Sequence, residues 1–228
     1  MKSSELPDTA NETIADVQGN FIMPKKMAGG HIDTKIINRT GNQKEVKWIR
    51  RDESGSVIGE DMVTDDNYDA RNRSWYTGAA KARGLFWTDV YIFFTDQKPG
   101  ITAAMPVIGD DDTLQGVLGA DIEIDELSQF LRNLTIGRNG RALIFDGQGH
   151  LVAYPKAGKM LERVGDTLQP LALDGLGDPV LSRAYNRFKV EGHGNRVLTV
   201  DNRRYLNSVS SLRSTGVRDW SVMIVVPE

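Results

Sequence analysis

Cysteine is absent from the 228 residues, which removes disulfides, thiolate chemistry and cysteine-ligated metals. That absence fits a cytoplasmic or a periplasmic chain alike. Apolar runs are short: none approaches the roughly 20 residues that a membrane-crossing helix needs. Met1-Lys2-Ser3-Ser4 lacks the apolar core of a signal peptide, so the chain as given reads as soluble. An excess of one charge is also missing. The formal net charge is -3, with acids and bases spread along the chain, so there is no basic stripe for nucleic acid and no polybasic segment for a membrane surface. Histidine is scarce, and His31, His150 and His193 fall in different expected elements, which argues against a metal cluster. The run "GDDDT" (109–113) lacks the further ligands and distal glutamate of a calcium loop and reads as a hairpin turn. The glycines of "GRNGRALIFDGQG" precede and interrupt strands, so they make no phosphate cradle. No serine sits in a nucleophile elbow. Catalytic residues, metals and cofactors are therefore not expected.

What is present suffices for one large or two small domains. Residues 1–30 carry a helical pattern in Thr9 to Met23, broken by Pro24 and then by Gly29-Gly30. Strands follow in "HIDTKII", "EVKWIRR" and "SVIGEDMV". Asp69 or Asn72 can cap the next segment, "RNRSWYTGAAKARG", a helix of about three turns closed by Gly84. Strands "LFWTDVYIFF", "GITAAMPVI" and "LQGVLGADIEI" come after it. Asp125 opens the amphipathic helix "DELSQFLRNLTIG", with Leu127, Phe130, Leu131 and Leu134 on one face. The hairpin "RALIFD"–"HLVAYP", a partly helical connection from Lys156 to Lys189, and the strands "NRVLTVD", "RYLNSVSSL" and "DWSVMIVVP" complete the chain. The second half repeats the order of the first without repeating its sequence. The expectation is an α+β fold of two tandem PAS-like domains, each an antiparallel sheet with flanking helices. The units are 1–30 (N-terminal helical segment), 31–135 and 136–228, with the "DELSQFLRNL" helix bridging the two domains.

One stretch concentrates chemistry. "YDARNRSWY", from Tyr68 to Tyr76, combines aromatic rings and guanidinium groups at the start of the expected helix. Arg73 can grip a carboxylate through two parallel hydrogen bonds, aided by the positive end of the helix. Trp75 offers an indole donor and Tyr76 shares a helix face with Arg73. Downstream, Asp121 is a carboxylate in the middle of the apolar strand "GVLGADIEI", where a buried charge is costly unless it is paired. Either a protein cation or a ligand cation must be near it. Trp87, Phe93, Ala103 and Met105 are candidate core or pocket-lining residues.

The segments "YDARNRSWYTGAAKARGLFWTDVY", "ITAAMPVIGDDDTLQGVLGADIEIDELSQFL" and "GRALIFDGQGHLVAYP" resemble the double Cache sensor domains of bacterial transmembrane receptors. The resemblance implies a long N-terminal helix, of which residues 1–30 carry little, a membrane-distal domain with the ligand pocket, and a membrane-proximal domain. It further implies an extracytoplasmic sensor anchored by helices outside this chain, homodimeric in the full receptor, coupled to a chemotaxis, histidine kinase or nucleotide cyclase module. The amino-acid-binding members share a motif in which Tyr68, Arg73 and Trp75 match the holders of the ligand carboxylate. Tyr76 and Asp121 match the holders of its ammonium, and Tyr91 matches a further pocket aromatic. Phe93 stands where several of these binders have an acid, which weakens the ammonium site or shifts preference toward apolar ligands. The implied ligand is an L-amino acid. Two other readings stay open: a sensor for an amine, carboxylate or purine, and a ligand-free ectodomain in which Arg73 and Asp121 pair with each other.

Overall fold

The computed structural model describes residues 11–156, 160–164, 167–212 and 219–228. Two compact units divide between Glu123 and Ile124, so the amphipathic helix expected to bridge the domains is counted with the second.

The first unit begins with β1 (Asn11–Asp16), β2 (Phe21–Lys26), β3 (Ile32–Thr40), β4 (Gln43–Arg51) and β5 (Val57–Met62). Helix α1 (Ser74–Ala82) follows, then the two-residue strands β6 (Phe86–Trp87) and β7 (Tyr91–Ile92), and the long hairpin β8 (Pro99–Ile108) and β9 (Leu114–Glu123). All pairings are antiparallel, in the order β5-β4-β3-β2-β1-β9-β8-β6, with β7 also on β8.

The helix expected over Thr9 to Met23 is, from Asn11 onward, a hairpin of β1 and β2; residues 9 and 10 lie outside the described segments. Ile14, Val17 and Phe21 imitate a helical stripe, but Gly19 adopts φ +88° and the Asp16 carboxylate ties the turn by accepting from the backbone N–H of Asn20 at 2.8 Å and its side-chain amide at 2.6 Å. That local hydrogen bonding offers the backbone an alternative to helix. Thr13 and Ala15 then face inward while Ile14 faces out, a period of two. Pro24, which lacks an N–H, lies beyond the paired stretch of β1 and β2, whose register covers Ile14↔Ile22 and Ala15↔Phe21.

Helix α1 buries Trp75, Tyr76 and Ala79 on one face. Gly78 is there because a β-carbon would collide with the Phe86 ring. The helix ends at Arg83, in the left-handed region at φ 52°, one residue before the expected Gly84. The expected strand "LFWTDVYIFF" is two short strands, parted where Thr88 bonds to the Thr102 backbone through both its N–H and its hydroxyl.

The second unit contains α2 (Ile124–Asn133), β10 (Arg141–Phe145), β11 (Leu151–Ala153), β12 (Leu161–Val164), β13 (Thr167–Pro170), α3 (Pro179–Glu191), β14 (Gly194–Val200), β15 (Arg203–Ser211) and β16 (Ser221–Pro227). Its main sheet has the order β11-β10-β16-β15-β14. Asp178 caps α3 by accepting from the N–H groups of Val180 and Leu181, and Pro179 fills the first helical position. The buried face of α3 presents Leu181, Ala184 and Tyr185 to Leu143, Phe145 and Met223.

Candidate functional site

The residues of "YDARNRSWY" are placed by a short 3-10 turn, Ala70–Asn72, capped by Asp69, whose carboxylate accepts from the Arg71 N–H. Arg73 then has extended backbone, φ -90° and ψ 147°, as the cap position of α1. It therefore stands at the mouth of the helix and not within its first turn. Within the first turn, the Trp75 ring is 2 % exposed and its indole N–H donates to the Tyr68 hydroxyl at 3.4 Å. Gly119 of β9 makes this seat possible: a β-carbon there would lie 3.3 Å from Trp75 and 2.9 Å from the Thr13 methyl.

These elements enclose a recess in the first unit, lined by Asn11 and Thr13 of β1, Phe21 and Met23 of β2, Tyr68, Arg73, Trp75, Tyr91, the segment from Phe93 to Asp96, and Asp121. Its empty volume is about 430 Å³, counting the space that opens to solvent. Of the candidates from sequence, Tyr68, Arg73, Trp75, Tyr91, Asp121 and Phe93 come together around it. Tyr76 does not, since it is buried with its hydroxyl donating to the Asp16 carbonyl at 3.2 Å. Trp87, Ala103 and Met105 also stand apart. Ala103 and Met105 line a shallow depression with Leu85 and Leu118, and Trp87 is the cross-strand partner of Ala103. Alternation along β8 puts Thr102 and Ala104 on the recess side and Ala103 and Met105 on the other.

Asp121 is the electrostatic centre. Burial pushes its carboxyl up to about 6, opposed by a hydrogen bond from Thr102 and by the charge of Arg73. At neutral pH it remains mostly ionised. The Thr102 hydroxyl donates to Asp121 Oδ1 at 2.5 Å and lies 2.6 Å from the Tyr91 hydroxyl. A hydroxyl has one proton to give, so Tyr91 donates to Thr102 and Thr102 to the carboxylate. Burial raises the Tyr91 phenol, and the Asp121 charge adds to that, which keeps the first donor of the relay protonated. Burial likewise pushes Tyr68 up to about 12.

Arg73 Nη2 donates to the Ile92 carbonyl at 2.8 Å, and its guanidinium lies 5.3 Å from the Tyr91 ring centre. Among the described residues no ion pair joins Arg73 to Asp121. Among the described residues neither charge forms an ion pair, so each faces the recess held by protein dipoles, Arg73 by the Ile92 carbonyl and Asp121 by the Thr102 hydroxyl. The wall behind Tyr68 is aromatic, with Phe21 at 4.9 Å and Phe94 at 5.1 Å between ring centres. Lys35, itself buried, lies over the Tyr68 and Phe94 rings and pairs with Asp66.

Sequence reasoning did not single out Thr102, Thr13, Asn11, Phe21, Met23 or Phe94. Among the described residues no group of three or more histidine or acidic side chains is arranged to hold a metal ion.

A Cache-type sensor module is the class that two such units and a charged recess define. Residues 5–228 match the Cache domain family model dCache_1, and the chain belongs to that family. It is 32 % identical over 100 residues to the methyl-accepting chemotaxis protein PscA of Pseudomonas syringae pv. tomato, covering 44 % of this chain and 16 % of that protein. It is also 32 % identical over 116 residues to McpB of Bacillus subtilis, covering 50 % and 17 %. The matched part is thus less than a fifth of these receptors. Among solved structures, the ligand-binding domain of the Campylobacter jejuni chemoreceptor Tlp3 in complex with L-valine aligns with TM-score 0.57 at 16 % identity, over 96 % of this chain and 67 % of that one. The ligand-binding domain of the Pseudomonas aeruginosa amino acid chemoreceptor PctB in complex with L-Arg aligns with TM-score 0.56 at 17 % identity, over 95 % and 70 %. Cache domains of chemoreceptors are extracytoplasmic sensor domains; among the described residues no helix is long and apolar enough to cross a membrane.

Proposed function

We propose that the chain is the extracytoplasmic ligand-binding part of a membrane-anchored, homodimeric signalling receptor, and that the recess of its first unit takes a single L-amino acid. Arg73, with Tyr68 and Trp75, holds the carboxylate, and Asp121 holds the ammonium. The observation that carries this reading is the Asp121 carboxylate: it lines the recess, is raised by burial to about 6 and has no ion pair with Arg73. An ammonium ion is the group that offsets such a cost. Arg73 lines the same recess and supplies a fork that fits a carboxylate. Phe21, Met23, Phe93 and Phe94 favour an apolar ligand side chain. The sensor domain contributes recognition and no chemistry, and the output module lies in the rest of the receptor.

Calorimetric titration of the standard L-amino acids tests the reading. Arg73→Ala leaves the ligand carboxylate unpaired in the recess, a loss on the order of 2 to 5 kcal/mol, or at least about thirtyfold. Asp121→Asn keeps the shape and removes the charge, so it weakens amino acids far more than ligands without an amine. Wild-type affinity in either variant would place the ligand elsewhere.

A further inference from the structure

One lining residue of the recess carries a hydroxyl without a hydrogen-bond partner among the described residues. Thr13 of β1 is 5 % exposed, and its hydroxyl oxygen is shielded from solvent without a hydrogen-bond partner. A hydroxyl in that condition costs free energy in the empty protein, and a group that enters the recess recovers it. The register shows which group it meets. In the β1–β9 ladder Asn11 pairs with Asp121 and Thr13 with Gly119, so Thr13 and Asp121 are diagonal neighbours on one face, about 7 Å apart at the backbone. The Thr13 methyl lies over Gly119, where it packs beside Trp75. Both Thr13 and Asp121 line the recess.

We infer that Thr13 is a ligand-binding residue whose hydroxyl accepts a hydrogen bond from the ammonium that Asp121 neutralises, so that the site selects primary amines over N-alkylated ones. This rests on the amino-acid reading above and adds to it. A primary ammonium carries three N–H donors. The two oxygens of the Asp121 carboxylate, of which Oδ1 also accepts from Thr102, take two of them, and the Thr13 hydroxyl takes the third. An N-methyl group removes one donor and puts carbon against an oxygen that then remains unsatisfied. Discrimination of this kind is strong where a site is built to hydrogen-bond.

The test uses the standard L-amino acids, then the N-methyl form of the one bound most tightly, titrated into wild type, Thr13→Val and Thr13→Ser. Valine keeps the β-branched shape, so the strand is preserved, and serine keeps the hydroxyl. The parent amino acid should bind Thr13→Val about tenfold more weakly than wild type and Thr13→Ser within about threefold of wild type. The preference for the parent over its N-methyl form, about tenfold or more in wild type, should collapse in Thr13→Val. If binding requires Asp121 but the preference survives in Thr13→Val, this inference fails and the amino-acid reading stands. If no amino acid binds, or affinity ignores Asp121→Asn, that reading fails and takes this inference with it.

Discussion

Because burial lifts the Asp121 carboxyl to about 6, acidification should separate binding from stability in opposite directions. The ammonium of an amino acid needs the ionised carboxylate. With a pKa of about 6 the group is about nine-tenths ionised at pH 7 and about one-tenth ionised at pH 5. Affinity should therefore fall by about tenfold over that interval, with a slope approaching one decade per pH unit below 6. The ligand's own α-carboxyl, lowered by its adjacent ammonium, titrates well below this window and does not contribute. Stability without ligand follows the other sign. The folded-state pKa lies above the unfolded value of about 3.9, so the folded state holds the proton more tightly than the unfolded chain. The ionised carboxylate is then a cost present above pH 6 and relieved as pH falls from about 6 to 4. Two units correspond to about 3 kcal/mol as an upper bound, reduced here because the recess opens to solvent and screens the charge. Asp33, Asp66, Asp69 and Asp178 are held below their ordinary range, by hydrogen bonds or charges that outweigh any burial, and lose stability on acidification. The Asp121 contribution is therefore read as the difference between wild type and Asp121→Asn. Calorimetry at pH 5, 6 and 7 together with urea unfolding of both proteins provides the assay. Affinity that is flat from pH 7 to 5, or a wild-type minus variant stability difference that does not change with pH, would refute the assignment of a raised carboxyl at the ammonium site.

Two further outcomes are expected. Gly119→Ala should cost on the order of 1 to 3 kcal/mol, because its β-carbon would meet the Thr13 methyl at 2.9 Å and Trp75 at 3.3 Å; urea denaturation measures this, and wild-type stability would mean the Trp75 seat is looser than described. Asp66→Ala removes the carboxylate paired with buried Lys35 and the acceptor of the Tyr68 N–H, which should cost about 3 to 5 kcal/mol by stranding a charge; a loss below 1 kcal/mol in chemical denaturation would contradict it.

Much of the second unit and the helix α1 was legible because their signals are local, above all the turn residues that bound each short element; the cap expected at Asp125 lies instead inside the first turn of α2, which begins at Ile124. The β1–β2 hairpin was not, because Ile14, Val17 and Phe21 satisfy a helical period and the strand pairing that overrides it is long-range. β1 sits between β2 and β9, and its partner Asp121 is more than a hundred residues away. The site divides in the same way. Tyr68, Arg73 and Trp75 lie within eight residues of one another, and Asp121 stands out as a charge in an apolar strand. Tyr76 was assigned to the ammonium by sequence resemblance, yet the helix turns its hydroxyl to the Asp16 carbonyl, which a turn misread as helix could not reveal.

Thr102 is the more instructive omission, since the β8–β9 hairpin was visible and only its register was wanting. From the pair Ile108↔Leu114, counting outward residue by residue opposes Thr102 to Ala120 and leaves Asp121 opposite Ile101. An irregularity between Val107 and Ile108 adds one residue on β9, so that Val107 pairs with Gly116 and Thr102 with Asp121. A one-residue slip turns every side chain to the other face. With the bulge in place, Thr102 and Asp121 share the recess face and the hydrogen-bond relay from Tyr91 can form; without it, the carboxylate would sit beside Ile101. The charge in "GVLGADIEI" announces that something must pair with it, but what makes the site is a single extra residue at the far end of the hairpin, about 20 Å away along a strand that rises about 3.4 Å per residue.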